Sequence, residues 1–247
     1  MGNFFRSHLA RNVDRVNESV ARSEERWTIH GVGIRDVEEE RSMFRKLKEQ
    51  DGLYGLLGLP SGEACVVKSV TQLSHIPSGG PSFQHVMADA IDHRTKILSL
   101  TVTEKGYCQD ASGDLDTSLE DVRHDIMLIK RSMNQSDFET LRRDPCRTAL
   151  GLIASCLSLR DRFGESKAPI TLLSCDNLPH NGNVRNVGEN ITRMLESQIQ
   201  FTYRFGRNSP ICLILSSSGT TSFSIELLRI SDNVALSLVA VFSTSFA

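Results

Sequence analysis

Three short apolar runs constrain the fold of this chain more than any other feature of its sequence. They are Trp27 to Ile34 (WTIHGVGI), Ile97 to Thr103 (ILSLTVT) and Ile170 to Ser174 (ITLLS), and all three are rich in β-branched or leucine side chains. Runs without polar alternation are typical of strands that helices cover on both faces of a sheet. We therefore expect these three segments to lie in one parallel sheet.

Helical patterns alternate with these strands. Leu9, Val13, Val16 and Val20 recur at three- and four-residue intervals, which predicts an amphipathic helix. Further helices are expected at Arg35 to Gln50, at Arg147 to Phe163 with Gly164 as its C-cap, and around Ile191 to Ile199. The alternation predicts an α/β fold with a doubly wound, mostly parallel sheet, in which Arg147 to Phe163 packs across one face.

Turn residues separate two weaker strand candidates. Leu53 to Leu59 and Ala64 to Leu73 flank Pro60-Ser61-Gly62, and each is expected to form one strand. The following stretch, Ile76 to Ser82, contains two prolines and two glycines and is expected to be a loop.

Composition excludes several classes of function. The 247-residue chain has a formal net charge of −2, which gives no basic excess for nucleic-acid binding. Its six cysteines show no CxxC spacing, and no run reaches the roughly 18 apolar residues of a membrane span. Val234 to Val241 is apolar but too short for that role. We expect a soluble cytoplasmic protein whose partner is a small molecule.

The residues after about Gln200 differ from those before. They contain many serines and no sustained helical stripe. Their charged side chains number five: Arg204, Arg207, Glu226, Arg229 and Asp232. We therefore expect two parts, residues 1–199 as an α/β domain and residues 200–247 as an irregular tail of low order.

Polar turns follow the expected strands. Arg35-Asp36 follows the first apolar run, Glu104 to Cys108 the second, and Asn177 the third. Doubly wound sheets bind ligands beyond the carboxyl ends of their strands, so these turns predict one binding edge.

Three strings carry a resemblance to a known family. LTVTEKGYC (Leu100 to Cys108), LLSCDNLPHNG (Leu172 to Gly182) and GNFFRSH (Gly2 to His8) together resemble the mannitol dehydrogenase and fructuronate reductase family of polyol dehydrogenases. Further matches lie at Gln50 to Tyr54, Gly113 to Asp116 and Arg147 to Gly151. The resemblance covers residues 2 to about 199 and implies a Rossmann-like nucleotide-binding domain, with its first strand and first loop glycine missing before Gly2.

The resemblance implies an NAD site. Its pyrophosphate loop corresponds to Gly2, Asn3, Phe4, Phe5 and Arg6, at a helix start where free N–H groups favour an anion. Arg35, Asp36 and Glu38 lie where an acidic side chain takes the adenosine ribose hydroxyls and disfavours a 2′-phosphate, so NAD is expected over NADP. Thr103 ends the second strand and is also assigned to the cofactor. The alternative for the opening residues is a frayed helix start without a ligand. The alternative for Asp36 and Glu38 is a solvated helix start, where acidic side chains complement the helix dipole.

Asn177 is the expected catalytic residue. In the family that this chain resembles, the asparagine of the Ser-Cys-Asp-Asn turn holds the substrate oxygen during hydride transfer, an oxyanion-stabilising role. The alternative is an asparagine that only satisfies the backbone of its turn. The family's general base is a lysine of a helical domain, reached through a motif like Phe-Pro-Asn-Ser, and this sequence contains no such motif.

Two functions stay open at this point. The resemblance implies NAD-dependent hydride transfer between a polyol or hexuronate alcohol and its ketose. The alternative is an inactive fragment or mis-spliced product, at most a nucleotide-binding or interaction module. A metal is not expected, although His85, Asp89 and His93 would share one face of a helix.

Overall fold

The computed structural model describes residues 2–20, 26–58, 62–78, 81–135, 144–163, 170–175, 190, 191, 194, 211–215 and 237–243. Its helices are α1 (Asn3–Ser7), α2 (Leu9–Ser19), α3 (Glu38–Glu49), α4 (Ser82–Ile91), α5 (Glu120–Gln135) and α6 (Ala149–Phe163). Its strands are β1 (Thr28–Gly33), β2 (Tyr54–Leu57), β3 (Ala64–Val67), β4 (Val70–His75), β5 (Thr95–Val102), β6 (Ile170–Ser174), β7 (Ile211–Leu215) and β8 (Ser237–Ser243).

Six strands form one parallel sheet in the order β4-β1-β8-β5-β6-β7. Within it β1 pairs with β4 (Gly31 opposite Leu73), and β5 pairs with β6 (Leu98 opposite Leu172). The three apolar runs of the sequence analysis therefore lie in one parallel sheet, as predicted.

Helices cover both faces of this sheet. On one face, Phe5, Leu9 and Phe44 of α1, α2 and α3 share a buried apolar cluster with Ile29 of β1. The cluster on the other face joins α4, α5 and α6 to β5, through residues that include Val86, Ile129, Ile153 and Leu98. The doubly wound α/β fold is confirmed, and α6 packs across a face as predicted.

The stretch Ala64 to Leu73 is two strands, so the prediction of one strand was wrong. β3 pairs antiparallel with β2 in a separate hairpin, whereas β4 joins the main sheet. The two strands are separated at Lys68 and Ser69, which bind helix α2. The Lys68 backbone N–H donates to Asp14 (2.8 Å), and the Ser69 hydroxyl donates to the Ala10 carbonyl (3.0 Å). The first of these bonds satisfies the Lys68 N–H, which a continuous strand would have paired with a neighbouring strand.

The expected loop after β4 starts as a single 3₁₀ turn, Ile76–Ser78. The helix expected around Ile191 is described only at residues 190, 191 and 194, which are helical. Among the described residues, no helix has the length and apolar character needed to cross a membrane.

Two segments beyond residue 200 are strands of the main sheet, which corrects the expectation of an irregular tail for those residues. β8 lies between β1 and β5, with Ala240 opposite both Gly31 and Ser99, and β7 extends the sheet beyond β6. A central strand needs no charge and no helical period, so low charge was poor evidence of disorder here. The rest of the tail lies outside the described residues, and the division at residue 199 stays a prediction.

A left-handed turn links α3 to the hairpin. Asp51 and Gly52 have φ values of +53° and +77°, and the Gly52 N–H donates to the Leu47 carbonyl at 2.8 Å. A Cβ atom at Gly52 would lie 2.1 Å from the Val70 carbonyl oxygen, at the start of β4. Glycine is required here both by the backbone angle and by the close approach of another strand.

We expect Gly52→Ala to lower the free energy of unfolding by about 1–3 kcal/mol, because it adds both strain and a clash with backbone. The control is Gly55→Ala in β2, where an added Cβ would have nothing within 4 Å. Urea unfolding of both variants measures the difference. Equal effects of the two substitutions would show that the turn at Gly52 does not need glycine.

Candidate functional site

A cleft of about 840 Å³ lies at the carboxyl ends of β1, β4 and β5. One wall consists of residues that directly follow these strands: Ile34, Arg35, Asp36, Val37, Ile76, Pro77, Thr103, Lys105, Gly106 and Cys108. The opposite wall consists of the first turn of α5 and the residues that lead into α6: Leu119 to Val122 and Asp144 to Ala149. This is the edge at which doubly wound sheets bind ligands.

Three of the residues predicted from the sequence line this cleft together. Arg35 and Asp36 follow β1, and Thr103 follows β5, so the sheet brings them to one edge. The Thr103 carbonyl accepts a hydrogen bond from the Gly106 N–H at 2.7 Å, which closes the turn that carries Lys105. The cleft therefore presents one carboxylate and two cations from this wall alone.

An exposed arginine of α3 pairs with both predicted acidic residues. Arg41 Nε donates to Asp36 Oδ1 at 3.0 Å, and Arg41 Nη1 lies 3.4 Å from Glu38 Oε2. Hydrogen bonding to Asp36 raises the pKa of Arg41. Glu38 itself is exposed at the start of α3 and does not line the cleft. Of the acidic pair, Asp36 is the member placed to meet a ligand.

A buried carboxylate fixes the opposite wall. Asp125 of α5 is 0% exposed and accepts from the Arg147 N–H (2.8 Å), the Thr148 N–H (2.8 Å) and the Thr148 hydroxyl (2.7 Å). Thr148 Oγ1 in turn accepts from the Gly151 N–H at 2.9 Å, which caps the start of α6. A side chain on Gly151 would collide with Asp125, since its Cβ would lie 2.1 Å from Oδ2.

His124 connects this wall to its rim. Its Nδ1 lies 3.0 Å from Asp125 Oδ1, and its Nε2 lies 2.8 Å from Asp144 Oδ2. Burial lowers the pKa of His124, but hydrogen bonds to Asp125 and Asp144 outweigh burial and raise it overall. At the cleft mouth, Arg147 Nη1 lies within 4 Å of both Glu120 (3.7 Å) and Asp121 (3.5 Å).

The two thiols in the cleft are unsuited to nucleophilic chemistry. Burial raises the pKa of Cys108 to about 11, and burial also raises the pKa of Cys146 well above its ordinary value. Both side chains stay protonated near neutral pH, and a thiolate is the reactive form. The chemistry that the cleft can offer is thus the binding and orientation of a charged ligand.

The opening residues lie elsewhere. Asn3 and Arg6 line a second hollow of about 650 Å³ beside α3 and β2, together with Met43 and Lys46. Arg6 contacts the Asn3 side chain and the Met43 sulfur, and its carbonyl accepts from the Tyr54 hydroxyl at 2.9 Å. The structure does not bring these two side chains into the cleft with Asp36.

Gly2, Phe4 and Phe5 also lie outside the residues that line the cleft. Gly2 is buried, and the half-buried Phe4 ring lies 4.5 Å from the His8 ring, centroid to centroid. Phe5 is 0% exposed and packs in the core, so its side chain is not available to a ligand.

The catalytic candidate Asn177 lies outside the described residues. Cys175, two positions earlier, is described, and its N–H donates to the Leu100 carbonyl at 2.9 Å. This bond joins the chain after β6 to β5.

The histidine row considered for a metal does not form a site in the structure. His85 and Asp89 are on α4, but His93 lies beyond its end. Asp89 Oδ2 is 2.6 Å from His30 Nδ1, and His30 Nε2 is 2.9 Å from the buried Ser74 hydroxyl. The part of the chain that the structure describes holds no group of three or more His, Cys, Asp or Glu that could bind a metal.

Neither the second wall of the cleft nor Ile76 and Pro77 of the first wall was identified from the sequence. Glu120, Asp121 and Asp144 belonged to no motif, because they lie at or before helix starts and do not follow apolar strands. Arg147 lay in a matched string but was given no role. Ile76 and Pro77 could have been found, since they directly follow a strand of the main sheet.

Comparisons with known proteins agree with this architecture. The model of the mannitol dehydrogenase Rossmann domain matches residues 1–203. The chain belongs to the mannitol dehydrogenase family. Mannitol 2-dehydrogenase of Cereibacter sphaeroides is 31% identical over 203 residues, covering 81% of this chain and 38% of the relative. Polyol:NADP oxidoreductase of Gluconobacter oxydans is 30% identical over 186 residues, covering 74% and 34%.

A solved structure gives the same result. The ternary complex of Pseudomonas fluorescens mannitol 2-dehydrogenase with NAD and D-mannitol is similar with a TM-score of 0.62 and 29% identity. The match covers 80% of this chain and 36% of that one. The chain thus spans between a third and two fifths of the length of these relatives, in their nucleotide-binding part.

We expect His124→Asn to cost most stability at acid pH. Because the pKa of His124 is higher in the folded chain than in the unfolded chain, protonation of His124 stabilises the fold. This stabilisation is complete below the unfolded-state pKa near 6.5, and it is lost as the pH rises through the folded-state pKa. The loss in free energy of unfolding should therefore shrink between pH 5.5 and pH 8.5, as measured by urea unfolding across that range. His85→Asn, at an exposed position of α4, is the control. A loss that is constant with pH would contradict the hydrogen bonds assigned to His124.

Proposed function

We propose that this chain is the nucleotide-binding part of an NAD-dependent polyol dehydrogenase. Its cleft would hold NAD, and the reaction would be reversible hydride transfer between a secondary alcohol of a polyol or hexuronate and the corresponding ketose. The cofactor supplies the hydride chemistry, and the protein orients it. The partner is then a small molecule, and we place the protein in the cytoplasm.

One observation carries this proposal. Arg35, Asp36 and Thr103, at the carboxyl ends of two strands, line the same cleft as the start of α6. A family relative whose solved complex contains NAD has the same fold over 80% of this chain. The group and its surroundings fit, because Asp36 can accept from ribose hydroxyls and Lys105 adds a positive charge to the same cleft.

The preference for NAD is assigned to Asp36. A carboxylate at the end of the strand accepts hydrogen bonds from the ribose hydroxyls and repels a 2′-phosphate. Arg35 and Arg41 lie beside it, so the removal of Asp36 would leave two cations facing that phosphate. Because one relative is a Polyol:NADP oxidoreductase, both cofactors have to be compared directly.

We expect Asp36→Ser to raise the affinity for NADP relative to NAD at least about tenfold, which is 1.4 kcal/mol. Calorimetric titration of the chain with NAD and with NADP measures the ratio. Glu39→Gln is the control, because Glu39 is an exposed acid of the same segment that does not line the cleft. An unchanged ratio in Asp36→Ser would remove the role assigned to Asp36.

The remaining cofactor assignments rest on the family resemblance. The resemblance assigns the pyrophosphate to Gly2, Asn3, Phe4, Phe5 and Arg6, although none of the five lines the cleft in this structure. Glu38 would add to the charge near Asp36. Asn177 would hold the substrate oxygen as its charge changes, since preorganised amide donors stabilise an oxyanion. None of these groups can take the proton of the alcohol.

We expect this 247-residue polypeptide alone to form no measurable NADH from D-mannitol or D-mannonate. General acid–base catalysis contributes about 10²–10⁴-fold, and the chain carries no motif for the family's lysine. A protein that also carries the family's helical domain and complete nucleotide loop should turn over, and Asn177→Ala in it should lower kcat on the order of 10²-fold. Absorbance of NADH at saturating cofactor measures both.

The outcomes separate the two functions. Robust turnover by the polypeptide alone would show that another residue acts as the base. Cofactor binding without turnover would support the nucleotide-binding role, and binding of neither cofactor would favour the inactive fragment. If Asn177→Ala has no effect in the completed enzyme, the role of Asn177 is limited to forming its turn.

A further inference from the structure

We propose that two buried side chains, Glu40 and His75, are positioning residues for cofactor selectivity. They bind the backbone N–H and carbonyl of Arg35 and so fix where Asp36 presents its carboxylate in the cleft. This inference rests on the proposed function, because it assigns the NAD preference partly to residues that a cofactor would not touch.

The two side chains hold both polar groups of the Arg35 backbone. His75 Nε2 donates to the Arg35 carbonyl oxygen at 2.9 Å, and Glu40 Oε1 accepts from the Arg35 N–H at 3.3 Å. The same Glu40 oxygen is 4.0 Å from His75 Nε2. Glu40 belongs to α3 and His75 is the last residue of β4, so three elements meet at Arg35.

Burial makes this arrangement rigid. His75 is 2% exposed and Glu40 is 5% exposed, and the Phe44 ring packs 5.4 Å from the His75 ring. Gly33 leaves the space for the carboxylate, because a Cβ there would lie 2.4 Å from Glu40 Oε1. Hydrogen bonds of this kind are costly to leave unmade once the groups are removed from water.

The orientation of the His75 ring is also fixed. A carbonyl oxygen can only accept, so Nε2 must carry the proton in its bond to Arg35. In the neutral ring Nδ1 then accepts from the Ser78 hydroxyl, which lies 2.5 Å away. Ser78 belongs to the 3₁₀ turn whose Ile76 and Pro77 line the cleft, so the contact couples two parts of one wall.

Asp36 depends on this support. It is exposed, and its ion-pair partner among the described residues is Arg41, which is itself exposed and therefore a weak restraint. Its backbone lies between Arg35, which Glu40 and His75 hold, and Val37, whose carbonyl accepts from the Glu40 and Arg41 N–H groups at 3.1 Å each. Release of Arg35 should let the carboxylate move away from the ribose site, and discrimination against a 2′-phosphate should fall with it.

The test uses paired variants of the full chain. Glu40→Leu and His75→Phe keep the approximate volume and remove the bond to Arg35, whereas Glu40→Gln and His75→Gln keep an acceptor and a donor. Ser78→Ala removes a hydroxyl at an exposed position, so it tests the proposal even where the buried variants fail to fold. Glu39→Leu, one residue from Glu40 and exposed, is the control.

Two quantities are measured on each variant. Hydrogen exchange reports the amides of residues 35–37 against those of α6, and calorimetric titration gives the NAD-to-NADP affinity ratio. We expect Glu40→Leu and His75→Phe to raise exchange at residues 35–37 at least about tenfold and to lower the ratio about tenfold. Ser78→Ala should change both in the same direction by less, and the two glutamine variants should stay near wild type.

Three results would overturn the inference. One is faster exchange at residues 35–37 with an unchanged affinity ratio. A second is an equal rise of exchange in α6, which would mark general destabilisation. The third is a ratio that falls equally in Glu39→Leu. If wild type binds neither dinucleotide, the proposed function fails and the selectivity role fails with it, whereas binding with an insensitive ratio overturns only the role of Glu40 and His75.

Discussion

Hydrogen bonding across β8 is the constraint on which the rest of the structure depends. β1 and β5 do not pair with each other; each pairs with β8, which joins the half of the sheet formed by β4 and β1 to the half formed by β5, β6 and β7. Helices α1 to α3 cover one face and α4 to α6 the other. In a doubly wound fold the ligand crevice opens where the strand order reverses, and that point is the junction at β8. The cleft between Asp36 and Thr103 exists because both neighbours of β8 end there.

Each wall of this cleft is held by a buried carboxylate that accepts from backbone N–H groups. Glu40 accepts from Arg35 on one side, and Asp125 accepts from Arg147 and Thr148 on the other. A buried carboxylate is stable only when such donors satisfy it, so each acid requires its wall in one conformation. In both cases a glycine provides the space: Gly33 beside Glu40 and Gly151 beside Asp125. These two buried acids fix the shape of the cleft, whereas Asp36 lies on its surface.

The sequence predicted well what depends on local periodicity. The apolar runs gave the three strands and their common parallel sheet, and the turns after β1 and β5 gave Asp36 and Thr103 at one edge. It predicted poorly what depends on partners far along the chain. Nothing local marks Lys68 and Ser69 as a strand break, because Asp14 and Ala10 of α2 hold it. In the sequence Glu40 is one of three acids at a helix start, and nothing local marks it as buried. Ser237–Ser243 is identified as a central strand only through its pairing with β1 and β5.

These long-range contacts support the cofactor side of the proposed site but not its substrate side. In the proposed enzyme the cofactor end of the reaction would depend on the turns after β1 and β5, which buried acids of this chain support. The substrate end would also need Asn177, which lies outside the described residues, and the family's lysine, for which the sequence holds no motif. Binding energy directed at NAD would gain little rate unless a base also met the alcohol, because oxidation to the ketose removes a proton as well as a hydride. In the proposed enzyme, cofactor selectivity and turnover are therefore separable properties, and we expect the geometry of the Arg35 backbone to affect the first and not the second.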